Sequence, residues 1–165
     1  MILPIIAFGS SVLRKKCKDI AVDYTDLNVL LDNMWETMYE ANGIGLAAPQ
    51  INKEIRLFLI DTTSFSDDEK ISKEDIIKKV FINPTIIKQS GEDWDFNEGC
   101  LSIPDIREDV TRKSIITISY FDENFNKHTD IFDGLVARVI QHEYDHINGV
   151  LFTDRISPLR KRMIK

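Results

Sequence analysis

Two histidines, His142 and His146, stand in the run His-Glu-Tyr-Asp-His. On a helix, residues spaced i and i+4 project from one face and can reach a single metal ion. Glu143 is turned by about 100° from His142. It can therefore sit beside such an ion without binding it, where a general base is needed. The bland alternative is a solvated acidic helix that happens to hold two histidines, and the flanks argue against it. Leu135, Val139, His142 and His146 share one face, and Val136, Ile140, Glu143 and Ile147 share the next. A helix apolar on two adjacent faces is largely buried, and a buried His-Glu-Asp-His cluster is costly unless a metal or hydrogen bonds satisfy it.

Two protein ligands do not make a catalytic site; three plus an open position usually do. Downstream of His146 there is no His or Cys, and Asp154 is the only acidic residue. The third ligand is therefore sought upstream. The candidate is Cys100, in Glu98-Gly99-Cys100-Leu101-Ser102. Taken alone, Cys100 reads as a small buried residue, and Cys17 and His128, which have no such context, keep that structural reading. A third segment, Gly43-Ile44-Gly45-Leu46-Ala47-Ala48-Pro49-Gln50, reads equally as a helix stop followed by a loop or as backbone lying close to a ligand.

Together these segments resemble the peptide deformylase family, which carries a Gly-x-Gly-x-Ala-Ala-x-Gln loop, a Glu-Gly-Cys-x-Ser segment and a His-Glu-x-x-His helix in that order. The chain matches all three, at 43–50, 98–102 and 142–146. The resemblance implies that Cys100, His142 and His146 bind one divalent metal, Fe²⁺ in the cell, with Ni²⁺, Co²⁺ or Zn²⁺ as substitutes. It further implies removal of the N-formyl group from formyl-methionyl nascent peptides, with release of formate. Metal-bound hydroxide attacks the formyl carbon, and Glu143 serves as base and then as acid. The Gln50 amide and the Leu101 backbone N–H steady the oxyanion. Two other classes stand beside this reading. A metallopeptidase of the His-Glu-x-x-His kind would take its third ligand downstream. A structural metal module would close the site with a fourth ligand.

Substrate choice follows from the helix face. Leu135 and Val139, two turns and one turn before His142, are expected to line a pocket for an unbranched Met side chain. Ile44 and Phe96 complete it, with Gly43 and Gly45 beside the peptide. Arg138 is placed where many bacterial members of the family have an aliphatic residue. It is expected to snorkel past the pocket to water; the other reading is a cation on the pocket rim that meets the peptide. Of Arg107 and Arg112, one is expected to pair with Glu98 and the other to meet the peptide backbone.

These residues need positioning elements. Leu27, Leu30, Leu31, Met34 and Met38 predict a helix over 25–41, capped by Thr25 or Asp26 and stopped at Asn42-Gly43. Strands are expected at 55–60, at 80–88 with Pro84 at an edge or bulge, and at 114–121, the last turning through 121–127 into a strand ending near Phe132. Residues 64–79 read as a polar surface insertion. The metal-site helix runs from an Asp133 cap to a Gly149 stop. The class is α+β: small antiparallel β-sheets around a buried central helix, with an N-terminal helix and a short C-terminal one.

The chain has 165 residues, which fits one catalytic domain over 1–165. No run is long and apolar enough to span a membrane, and no secretory signal opens the chain. Two cysteines without a disulfide framework suit a reducing compartment, the cytoplasm of a bacterial-type cell. A net charge of −6 argues against specific nucleic-acid binding by the body of the protein. The segment 155–165, with five Lys/Arg and no acid, is the exception, and a contact with the ribosome is its candidate role.

Overall fold

A computed structural model describes residues 1–65, 73, 76–156, 158, 159 and 162. Helix α1 spans Leu27–Glu40 and buries Leu27, Leu30, Leu31, Met34 and Met38, the apolar stripe of the sequence. Asp26 occupies the cap position, but at φ 57 its side chain makes no capping bond. The stop is as anticipated at Asn42-Gly43. Asn42 takes the left-handed conformation (φ 58), and the Gly43 N–H returns to the Met38 carbonyl at 2.9 Å.

Five strands follow, β1 Gly45–Ala47, β2 Leu57–Asp61, β3 Lys78–Cys100, β4 Ile103–Phe121 and β5 Lys127–Asp133. They form one antiparallel sheet in chain order, where the sequence suggested separate small sheets. β3 and β4 are far longer than the expected strands at 80–88 and 114–121. The pairing breaks register four times, between Ile82 and Thr85, Ile86 and Lys88, Ser90 and Asp93, and Gly99 and Cys100, and the last two breaks fall in the added, polar stretch. Each bulge resets the in–out alternation, so no period-2 pattern survives for a sequence reading to find. Pro84 lies in the first of these irregularities, as its missing N–H requires. β1, a three-residue strand inside the glycine-rich loop, was also not anticipated.

Helix α2, Gly134–Ile147, lies against this sheet. Its Val136, Ile140 and Ile147 meet Phe58, Phe81, Ile116 and Ile118 in the main core. With two helices and an antiparallel sheet the fold is α+β. Asp133 precedes α2 but makes no side-chain cap bond. The N-terminal arm ties the elements together. The Ile6 N–H donates to the Gln50 carbonyl at 2.7 Å, the Phe8 N–H to the Ser102 carbonyl at 2.8 Å, and the Cys17 N–H to the Ile147 carbonyl at 2.8 Å. No helix among the described residues is long and apolar enough to cross a membrane. Most of the expected insertion at 64–79, and the short helix expected in the basic segment 155–165, lie outside the described residues.

Gly149 ends α2 at φ +77, and a Cβ there would stand 2.5 Å from the Arg14 carbonyl oxygen. Both the backbone conformation and the fixed oxygen oppose a side chain. Gly149→Ala is expected to destabilise by about 2 kcal/mol, lowering the melting temperature by roughly 4–8 °C. A scanning calorimetry trace with an unchanged midpoint would contradict this packing.

Candidate metal centre and active site

α2 presents His142 and His146 on one face with ring centroids 5.1 Å apart. Cys100 is the last residue of β3; Leu101 and Ser102 form the turn, and Cys100 pairs with Ile103 across it. The hairpin tip delivers the thiol to the helix, with Sγ 3.3 Å from His146 Nε2. One ligand atom from each of Cys100, His142 and His146 lies within 4.8 Å of the others. A thiolate and two imidazoles suit a borderline divalent ion such as Zn²⁺ or Fe²⁺. Glu98 lies 2.9 Å from His142 Nδ1. An ionised carboxylate there only accepts, so Nδ1 donates to it. Burial opposes a charged ring, but the Cys100 and Glu98 hydrogen bonds raise its pKa to about 10. A metal at Nε2 would displace the second proton. Burial drives the His146 pKa well below its ordinary value, keeping that ring neutral as a ligand must be. The residues present fit a metal ion.

Glu143 is buried, and its Oε1 has no hydrogen-bond partner. Burial pushes its carboxyl up to about 7, against the pull of charge on His142. A Cβ on Gly45 would stand 2.6 Å from Glu143 Oε2, so the glycine is what lets the loop lie against the carboxylate. Gln50 is 1% exposed, and its Oε1 accepts the Ala47 N–H at 2.9 Å. With the acceptor end engaged, Nε2 turns to Cys100 Sγ (3.5 Å) and Ser102 Oγ (3.2 Å).

These groups open on a cleft of about 640 Å³. Ile44, Phe96, Leu135 and Val139 line it, as anticipated from the helix face. Gly43, Gly45, Leu101 and Arg107 also line it, together with Gln50, Cys100, His142 and Glu143. Of the residues expected at the site, His146 and Arg112 are not in its wall; they are buried, at 1% and 6% exposure. Ile106 and Phe65 line it too and were not anticipated, since nothing in their local sequence marks them. Cys17 is buried at the end of α2, where desolvation raises its thiol to about 11. His128 pairs with Asp122 at 2.7 Å. Neither belongs to the site.

Arg138 requires a correction. It neither snorkels to water nor stands as a free cation on the rim. It is 2% exposed, and its Nη1 donates to Glu98 Oε2 at 2.7 Å and to the Val110 carbonyl at 2.8 Å. Its Nη2 donates to the Trp94 carbonyl at 2.6 Å. β3 and β4 extend over this part of α2, so the route to solvent is closed. Arg112 is the arginine that forks onto Glu98, at 2.7 and 2.9 Å, and it reaches Asp145 at 2.8 Å. Asp145, the acid of the buried cluster that needed hydrogen bonds, also holds Arg155 at 2.5 and 2.6 Å. Arg107 is held by Asn97 at the cleft.

Three donors around one point, with an unpaired carboxylate next in sequence to one of them, define a site of the His-Glu-x-x-His metallohydrolase class. The family model described as polypeptide deformylase matches residues 2–162. A peptide deformylase of Christiangramia forsetii is 58% identical over 170 residues, covering 100% of this chain and 87% of that protein. A peptide deformylase of Legionella pneumophila has a crystal structure similar at TM-score 0.86 and 36% identity, covering 99% of this chain and 91% of that one. One from Synechococcus elongatus, solved in complex with actinonin, has TM-score 0.86 and 41% identity, covering 96% and 83% of the two chains. The chain belongs to the peptide deformylase family and is a hydrolase. The family is metal-dependent and removes the N-formyl group from nascent peptides.

Arg112 is 6% exposed and joins two buried acids. Removing one partner of such a network leaves charge uncompensated in the interior. Arg112→Met is expected to cost about 3–5 kcal/mol in urea unfolding of the metal-free protein. A loss below about 1 kcal/mol would show that water replaces the arginine.

Proposed function

We propose that residues 1–165 form a single catalytic unit that hydrolyses the N-terminal formyl amide of formyl-methionyl peptides at Cys100, His142 and His146, with Glu143 as the proton carrier. The observation that carries this reading is the meeting of the three donor atoms within 4.8 Å beside a cleft whose wall holds Cys100, His142 and Glu143, the last with a buried, unpartnered oxygen. A divalent ion, Fe²⁺ in the cell with Ni²⁺, Co²⁺ or Zn²⁺ as substitutes, supplies Lewis acidity and makes hydroxide available near neutral pH.

The chain's own groups do the rest. Cys100 and the two imidazoles present an anionic sulfur and two neutral nitrogens from fixed backbones. Glu143 takes the proton of the attacking water on its carboxylate, and a hydroxyl oxygen bonds to the formyl carbon. Gln50 Nε2 and the Leu101 N–H donate to the oxyanion that forms. When the C–N bond breaks, Glu143 returns its proton to the amine nitrogen. Formate and the free N-terminus are the products. Ile44, Phe96, Leu135 and Val139 hold the Met side chain. The loop at Gly43 and Gly45, with Arg107, holds the peptide backbone.

Glu143→Gln is expected to keep about one metal per chain and to lose turnover on a formyl-Met tripeptide by about 10²-fold or more. Cys100→Ala should lose the metal itself. Gln50→Ala should lower kcat by about 10²–10³, with KM little changed, because its amide is aimed at charge that develops only in the transition state. Near wild-type turnover by the Glu143 variant would remove this mechanism.

The site of action we propose is the cytoplasm, where the peptide emerges from the ribosome. The basic segment 155–165 is the proposed handle, acting through phosphate contacts. Arg155 is already engaged by Asp145, so the handle consists of the cations beyond it. Truncation after Ser157 is expected to abolish salt-sensitive co-sedimentation with ribosomes and to leave activity on a free tripeptide intact. Equal sedimentation of both forms would overturn the idea.

A further inference from the structure

The three metal-binding candidates come from two separate elements, the β3 tip and α2, so something must fix one against the other. Glu98, two residues before Cys100 on β3, reaches α2 at two points. Its Oε1 meets His142 Nδ1 at 2.9 Å and its Oε2 meets Arg138 Nη1 at 2.7 Å. His142 and Arg138 are one helical turn apart. Arg112 adds a third fastening, running from Glu98 to Asp145 on the next turn of α2. Arg138 also grips the preceding part of β3, through the Trp94 carbonyl and through its guanidinium 4.9 Å above the Trp94 ring. A carboxylate has about four acceptor sites, and Glu98 fills them with Arg112, Arg138 and His142.

We propose that Arg138 is a positioning residue for the metal centre: by clamping β3 to α2 through Glu98 and Trp94, it sets where the Cys100 thiol stands relative to the two imidazoles. It lines the cleft, but its guanidinium is taken up by Glu98 and by the Val110 and Trp94 carbonyls. It acts through Glu98, the group that orients His142, and through the strand that carries Cys100. An aliphatic residue at 138 lacks this fastening and leaves Glu98 to Arg112 and His142. Groups behind metal ligands typically alter metal affinity by about 10–100-fold when removed.

This inference rests on the metal site proposed above, and the experiment separates the two. Protein loaded with Co²⁺ is mixed with excess chromogenic chelator, and the release rate is followed together with the thiolate-to-cobalt absorption band. Wild type should hold one Co²⁺ per chain, and Cys100→Ala should not. A wild type without bound Co²⁺ would overturn the site and this inference together. Arg138→Leu should release Co²⁺ about 10–100-fold faster, with a shifted charge-transfer band. Arg138→Lys, which keeps the charge but not the fork, should fall between. It also supplies the comparison if the leucine variant does not fold. In the Glu98→Gln background, Arg138→Leu should add much less than its separate effect, since both act through one contact. A release rate within twofold of wild type for Arg138→Lys, or for a folded Arg138→Leu, would overturn the inference. So would a full additive effect in the double variant. A purely structural arginine would instead lower the melting temperatures of metal-free and Co²⁺-loaded protein equally, with release and spectrum unchanged.

Discussion

The carboxylate of Glu98, 5% exposed, receives hydrogen bonds from Arg112, Arg138 and His142. An isolated ionised carboxylate buried to that degree would be expelled or protonated. Here burial alone would raise its pKa, but the hydrogen bonds and charges of His142 and Arg112 outweigh it and hold the carboxyl far below the ordinary range. The same contacts that keep Glu98 ionised fasten three elements. β3 carries the acid and the cysteine, β4 carries Arg112, and α2 carries Arg138, His142 and Asp145. The position of the hairpin on the helix, the tautomer of His142 and the solvation of Glu98 are therefore one problem with one solution.

Around that fixed point the remaining parts of the site are placed by backbone rather than by packing. The Gly45 backbone lies against the Glu143 carboxylate because no Cβ intervenes. Gln50 is oriented by the Ala47 N–H, and the N-terminal arm pins both Gln50 and Ser102 through main-chain bonds. An arm that shares its hydrogen bonds between two active-site loops couples them. Strain or loss in the arm would be felt at the donor end of Gln50 and at the turn that follows Cys100.

The parts of this arrangement that were legible in the sequence are those set by short-range geometry. The i, i+4 spacing puts His142 and His146 on one face wherever the helix lies. The face shared by Leu135 and Val139 brings both to the cleft. The register of Cys100 was legible only through its Glu-Gly-Cys context and the matching family pattern. What could not be read depends on which distant groups meet. Arg138 was taken to reach water because long cations usually do. Only the covering stretch of β3 and β4 turns it inward, and that stretch hides its strand character behind polar composition and two register breaks. Asp145's need for partners was legible, but not which ones, since Arg112 and Arg155 come from other elements. Periodicity reports which face a residue occupies; it does not report what covers that face.

The charges behind the metal site form a matched set. Arg112, Arg138 and Arg155 stand against Glu98 and Asp145. A Cys100 sulfur that gave up its proton on binding a metal would supply the missing negative charge. Glu143 stands outside these ion pairs. Its oxygen remains free to exchange a proton because no arginine holds it. Were Arg112 or Arg138 to turn toward Glu143, the carboxyl would gain a permanent cationic partner and its pKa would fall. It would then be a poor acceptor at the pH where it must take a proton. Saturating Glu98 with both arginines thus does two things at once: it holds the hairpin on the helix, and it keeps the guanidiniums away from Glu143, the carboxylate proposed to carry the proton.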